Sequence, residues 1–385
     1  MHVQTSQLKR IMIPLSLYIH VPWCIRKCPY CDFNSHKSPD ILPEQSYIQA
    51  LIADLKADLQ HFEIREICSI FIGGGTPSLL SAHAYETLFT ELKCLLPFAP
   101  DIEITMEANP GTVEQQRFMD YRQIGINRLS LGIQSFNHEH LRALGRIHDG
   151  QQAHRAIESA RNAGFTNLNL DIMYGLPQQS MLQGIEDLRS ALAHQPEHLS
   201  WYQLTLEPNT LFYKRKPTLP SEDETYLLEE EGLALLKTAG FERYEISAFA
   251  QTNHRSRHNL NYWLFGDYLG IGAGAHGKIT TKNGVLRTRK HRQPKEYLDP
   301  QKPFLAHIEP VNKKDLLFEF MLNTTRLEQT IPLELFAQTT GLALTDLLPQ
   351  LKIAEKKKLI TLTETHWQIT PLGRRYTNDL QALYL

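Results

Sequence analysis

Cys24, Cys28 and Cys31 lie within eight residues in the stretch YIHVPWCIRKCPYCDF, Tyr18 to Phe33. Thiolates are soft donors, and three of them at C-x3-C-x2-C spacing can wrap a metal centre. Three is one short of the tetrahedral set of a closed zinc site, so the fourth position decides the chemistry. If His20 or His36 completes the set, the loop is a structural zinc site. If nothing from the chain completes it, the thiolates suit an iron–sulfur cluster whose open iron takes an outside chelate. Spacing alone does not choose between the two.

Other groups with chemical potential recur at regular intervals: GGGTP (Gly73 to Pro77), EANP (Glu107 to Pro110), QSF (Gln134 to Phe136) and Asp171. Each follows or ends a run that reads as a buried strand. The runs are LSLYIHV from Leu15, ICSIFIG from Ile67, DIEITME from Asp101, INRLSLGI from Ile126, TNLNLDIMYG from Thr166 and HLSWYQLTL from His198. Helix-period segments separate them at 47–59, 85–96, 113–124, 151–163 and 180–193. Strand followed by helix, repeated six times, predicts parallel βα units with right-handed crossovers, a partial TIM-like (βα)6 barrel of the α/β class. In such a barrel the groups at the carboxyl ends of the strands share one mouth.

After about residue 205 the alternation fades, and residues 206–300 read as a post-barrel extension with a helix near 225–239. It carries the aromatic- and glycine-rich stretch Arg257 to Gly277, with three potential ligands in His258, Tyr262 and His276. Residues 301–385 read as a smaller α+β module, ending as helix, two short strands, helix in a winged-helix-like order. This module fits either a dock for a partner or a lid over the mouth.

The balance of 40 Lys+Arg against 42 Asp+Glu in 385 residues gives no electrostatic reason for nucleic acid or a membrane surface. Five cysteines, three of them crowded, make no disulfide framework and imply a reducing cytosol. Cys68 and Cys94 are expected to be packing residues. The run from Ile11 to Val21 contains Pro14, Ser16 and His20 and reads as a strand, not a signal peptide. No run is long and apolar enough to span a bilayer, so the expectation is a soluble, cytoplasmic protein.

C-x3-C-x2-C after a first barrel strand, with a glycine-rich loop after the second, resembles the radical S-adenosylmethionine (radical SAM) superfamily. The resemblance narrows over nearly the whole chain to the branch of oxygen-independent coproporphyrinogen III dehydrogenases (HemN) and heme chaperones (HemW), and the motifs look like the chaperone group. They are SLYIHVPWCIRKCPYCDFNSH, FIGGGTPSLL, TMEANPGT, SLGIQSFN, LGRIH, DIMYGLP, LSWYQLT and HNLNYW, in that order. The resemblance implies a [4Fe-4S] cluster on Cys24, Cys28 and Cys31, with S-adenosylmethionine chelating the open iron and undergoing reductive C–S cleavage. It implies S-adenosylmethionine contacts from Tyr18, Gly74, Gly75, Thr76 and Glu107, with Gln134, Arg146 and Asp171 completing the pocket or contacting a second such molecule. GGGTP would offer backbone donors with no side chain in the way.

Two positions refine that implication. The dehydrogenase branch carries a further cysteine two residues after the third, where this chain has Phe33, which disfavours porphyrinogen decarboxylation. HNLNY (His258 to Tyr262) matches the HNxxY pattern associated with heme in the chaperone branch, with His258 as axial-ligand candidate beside Asn259 and Tyr262. His276 in GAGAHG is a second candidate. The implied function is a heme chaperone that passes heme to an acceptor apoprotein. The rival is oxidative decarboxylation of coproporphyrinogen III, and S-adenosylmethionine-dependent chemistry on another tetrapyrrole in porphyrin biosynthesis is a third reading. A homodimer and a transient contact with a membrane or respiratory protein stay open.

Overall fold

The structure is a computed structural model that describes residues 13–112 and 115–385. Ile11 and Met12 of the expected first strand, and Val113 and Glu114 of the expected third helix, lie outside them. All six expected strands form: β1 (Leu15–Val21), β2 (Ile67–Gly74), β3 (Phe98–Ala108), β4 (Arg128–Gln134), β5 (Leu168–Tyr174) and β6 (His198–Gln203). They pair in parallel in sequence order. Parallel strands are covered on both faces, which is why Leu17, Ile19, Ile70, Ile72, Leu129, Leu131, Leu170 and Ile172 are fully buried. The crossovers are α1 (Glu44–Asp58), α2 (Ala82–Leu95), α3 (Gln115–Ile124), α4 (Gly150–Asn162) and α5 (Met181–Ala193). Local chemistry starts them cleanly: Ser81 caps α2, and Asp149 with Gln152 and Ser180 with Gln183 form capping boxes on α4 and α5.

Beyond β6 the chain does more to the sheet than periodicity indicated. After α6 (Glu222–Thr238), a hairpin of β7 (Glu242–Glu245) and β8 (Ala248–Ala250) joins β6 antiparallel. A short helix, α7 (Arg257–Trp263), then leads to β9 (Asp267–Ile271), which crosses to the far side and pairs in parallel with β1. Strands β10 (His276–Thr281), β11 (Gly284–Lys290) and β12 (Leu305–Pro310) extend that edge antiparallel. The result is a 12-stranded mixed sheet in the order β12-β11-β10-β9-β1-β2-β3-β4-β5-β6-β8-β7. Seven of its strands are parallel, and it curls without closing.

A buried ion cluster ties the late strands to the first crossover helix. Lys290 on β11 donates to Asp54 (2.5 Å) and Asp58 (2.6 Å) of α1, and Tyr297 donates to Asp54 (2.7 Å). Burial pushes both carboxyls up, Asp58 to about 6, against the pull of Lys290.

The C-terminal module is winged-helix-like, with α8 (Lys313–Thr324), β13 (Ile331–Pro332), α9 (Leu333–Thr340), α10 (Leu348–Lys356), β14 (Ile360–Leu362) and β15 (His366–Ile369). Its three strands order as β13-β15-β14. Phe320, Phe336, Leu351 and Trp367 form its core together with Phe265 and Val285 from the sheet extension. Among the described residues no helix is long and apolar enough to cross a membrane. One expectation fails: Cys94 is exposed on the outer face of α2 and packs nothing, whereas Cys68 is half-buried beside the Ser16 hydroxyl.

Candidate functional site

The cysteine loop leaves β1 and folds over the carboxyl ends of the strands. Two-residue strands at Trp23–Cys24 and His36–Lys37 pair with each other, and Ser38 N–H donates to the Cys24 carbonyl (2.8 Å), so the loop is fixed at both ends. Cys24, Cys28 and Cys31 line one cavity of about 400 Å³. Burial pushes the Cys24 and Cys31 thiols up, opposed by hydroxyls of Thr76 and Ser35. Arg146 places Nη1 3.6 Å from Cys28 Sγ, a cation suited to a thiolate.

The fourth ligand can now be tested on geometry. His20 Nε2 donates to the Asn34 carbonyl (2.8 Å) while its Nδ1 accepts from Tyr18 Oη (2.9 Å), so both ring nitrogens are engaged. His36 Nε2 donates to the Arg292 carbonyl (3.2 Å). Neither histidine lines the thiol cavity. Among the described residues no three His, Cys, Asp or Glu side chains gather around one point as a single ion requires. Three thiols on one cavity, with both histidines engaged elsewhere, fit a cluster held at three corners.

The glycine loop packs closely against β1 and the chain just after it. Gly74 has φ +110°, and a Cβ there would lie 2.4 Å from the His20 ring; a Cβ on Gly75 would lie 2.5 Å from the Trp23 carbonyl oxygen. Its amides, expected to be available, are engaged internally. Gly74 N–H donates to Glu107 Oε2 (3.1 Å), Gly75 N–H to the Val21 carbonyl and Thr76 N–H to the Trp23 carbonyl (both 2.7 Å).

Opposite the thiols is a polar wall from β3, β4, β5 and β6. Glu107 and Asp171 both face the cavity, and their mutual repulsion adds to burial in pushing the Glu107 carboxyl up to about 8. Asp171 accepts from Ser130 Oγ (2.9 Å) and Asn169 Nδ2 (2.8 Å), yet burial still raises it. Gln134 sits at φ 69°, a conformation that costs a non-glycine residue roughly 1–3 kcal/mol. Its Oε1 accepts from Tyr202 Oη (2.8 Å). Arg146 is held by the Gly132 carbonyl (2.7 Å) and by Asn109 Oδ1, and Asn109 also donates to Thr76 (2.9 Å). Asn109 and Tyr202 thus position the wall, as the sequence had not singled out. Their signal was available, since both lie just past or within strand ends already marked by EANP and LSWYQLT.

Tyr18 is not with this group. It lines a second cavity, about 460 Å³, with His20, Phe33, Asn34, Gly74, Glu107, Tyr262, Tyr268, Gly274, His276, Arg289 and Arg292. The two cavities share Phe33, Gly74 and Glu107. The HNLNY segment is α7, which packs below this cavity, its first amides accepted by Glu103 Oε1 at 3.0 and 3.3 Å. Tyr262 reaches the cavity; His258 lines neither cavity. Its ring packs on Phe71 (5.1 Å) and Tyr262 (4.9 Å), and Nδ1 meets Ser69 Oγ (3.0 Å). Its Nε2 is buried without a partner among the described residues, and burial beside Arg128 lowers its pKa to about 3. Asn259 bonds the Tyr244 hydroxyl, away from both cavities.

The pattern of the Radical SAM superfamily matches residues 18–191, and that of the HemN C-terminal domain matches residues 311–376. The heme chaperone HemW of Escherichia coli is 49% identical over 373 residues, covering 97% of this chain and 98% of that protein. HemW of Haemophilus influenzae is 48% identical over 377 residues, with 97% and 98% covered. Among solved structures, coproporphyrinogen III oxidase (HemN) from Escherichia coli, a radical SAM enzyme, superposes with a TM-score of 0.82 over 97% of this chain and 90% of its own, at 25% identity.

Proposed function

The chain belongs to the HemW heme-chaperone family of the radical SAM superfamily, and we propose that it holds a [4Fe-4S] cluster on Cys24, Cys28 and Cys31, binds S-adenosylmethionine beside it and delivers heme to an acceptor apoprotein in the cytoplasm. The observation that carries the reading is three thiols lining one cavity, facing carboxylates and hydroxyls.

When bound, the cluster would supply the electron for reductive cleavage of S-adenosylmethionine. The chain's own residues bind and orient. Glu107 and Asp171 accept from amino and ribose donors, Arg146 pairs with the carboxylate, and Gln134 and Thr76 add polar contacts. Gly74 and Gly75 line the same cavity, and Tyr18 reaches the ligand from the adjoining one. On this reading the HNLNY segment serves heme: Tyr262 from a cavity wall, His258 and Asn259 from the layer beneath.

Structural likeness to HemN favours a second reading, coproporphyrinogen III oxidation. Against it stands Phe33, 60% exposed at the rim of both cavities, where the dehydrogenase branch carries a further cysteine.

Anaerobic reconstitution tests the proposal. About four irons per chain are expected, lost on replacing any of the three cysteines with Ala, together with hemin binding and transfer to an apoprotein. Stoichiometric zinc that resists replacement by iron, or failure to bind hemin, overturns it.

A further inference from the structure

We propose that the second cavity is the heme site, with His276 taking the iron and Arg289 and Arg292 taking the two propionates. This rests on the heme-chaperone reading and names where the cargo sits.

His276 opens β10 immediately after the GAGA turn that follows β9, so it stands at the mouth end of the sheet. It lies directly opposite Arg289 on β11, which puts the two side chains next to each other on one face. Tyr268 and Tyr262 line the same cavity and supply aromatic wall for a flat macrocycle. A volume of about 460 Å³ is within the range of small-molecule sites.

The cations are available. Arg287, two residues before Arg289, is held by Glu319 and Tyr268. Arg289 and Arg292 are exposed, and among the described residues their side chains have no hydrogen-bond or ion-pair partner. Two unpartnered guanidinium groups on one rim match two carboxylates of one ligand. Glu107 is the acid among the described lining residues, and its raised pKa keeps it largely uncharged beside an anionic guest.

The choice of iron ligand follows by comparing imidazoles. His20 has both nitrogens engaged, and His258 lines neither cavity. His276 is exposed in the cavity with no side-chain partner among the described residues. Burial and the arginines at 287, 289 and 292 lower its pKa, so the ring offers a neutral lone pair. The wall behind it is rigid, because Asn34 of the cysteine loop donates to the carbonyls of Ala273 (2.9 Å) and Arg292 (3.0 Å). His258 would then act as floor, holding the rings of Tyr262 and Phe71.

The test is titration of the full-length, cluster-loaded protein with hemin and, separately, with metal-free protoporphyrin IX, read by absorption. His276→Ala should weaken hemin about tenfold and move the Soret band, while leaving protoporphyrin IX affinity unchanged. Arg289→Ala and Arg292→Ala should each weaken both ligands about tenfold. These three side chains are exposed, and iron content checks that each variant keeps its fold. If wild-type protein binds hemin and His276→Ala keeps its spectrum and affinity, or the arginine variants bind both ligands normally, this site is wrong and the chaperone reading survives. If wild-type protein binds no hemin, the chaperone reading fails and the site with it.

Discussion

S-adenosylmethionine binding should depend on the protonation of Glu107. Burial, reinforced by Asp171, pushes that carboxyl up to about 8 in the ligand-free protein, despite the opposing hydrogen bond from Gly74 N–H. The ligand carries a sulfonium, which favours the carboxylate, so binding must remove the proton. Affinity should therefore climb as pH rises and level off above about 8. At pH 7, one unit lower, the carboxyl is about nine-tenths protonated, which weakens binding roughly tenfold, about 1.4 kcal/mol, relative to the plateau. Asp171, also raised by burial, acts in the same direction. Calorimetry on anaerobically reconstituted protein, in two buffers of different ionisation enthalpy, should record close to one proton more released per ligand at pH 7 than in Glu107→Gln. Glu107→Gln should bind more weakly on the plateau and lose most of the pH dependence. A wild-type pH dependence and proton release no different from those of Glu107→Gln would refute the placement of Glu107 against the ligand's sulfonium.

Gly74→Ala forces a methyl to 2.4 Å from the His20 ring at φ +110°, and a thermal melt should show a loss of roughly 2 kcal/mol or more. Lys290→Met leaves Asp54 and Asp58 buried without their cation and should cost about 3–5 kcal/mol near neutral pH. Both carboxyls are already raised by burial, Asp58 to about 6, so they protonate readily as pH falls; the penalty should be smaller at about pH 5, and an equal penalty at both pH values would contradict it. With coproporphyrinogen III under anaerobic, reducing conditions, no protoporphyrinogen IX should form; turnover on the order of one per second would restore the dehydrogenase reading.

Much of the architecture was legible because strands buried on both faces read as apolar runs. LSLYIHV and LNLDIMY have that pattern, and the capped helix starts at Ser81, Asp149 and Ser180 mark where three of the five crossovers begin. The ends of those strands could be read as one mouth, and the cysteine spacing marked the loop that folds over it. Strand β9 was not legible. It is five residues long, follows Gly266 and precedes Gly272, and its parallel partner β1 lies at the other end of the barrel. Pairing at such sequence separation leaves no local pattern.

The sequence by itself determined the thiol set and the strand ends that carry Glu107, Gln134 and Asp171, whereas the helix that carries HNLNY appeared only in the structure. Only the tertiary structure decided what each group faces. It engaged the amides of Gly75 and Thr76 with carbonyls of Val21 and Trp23, and both His20 nitrogens with Tyr18 and Asn34. It sent Tyr18 into the second cavity, His258 beneath it, and His276, Arg289 and Arg292 to its lining. The reason is physical: whether a donor, a lone pair or a charge is available depends on which partner reaches it first. Here those partners come from strands and loops as much as 239 residues away, as Asn34 does for Ala273.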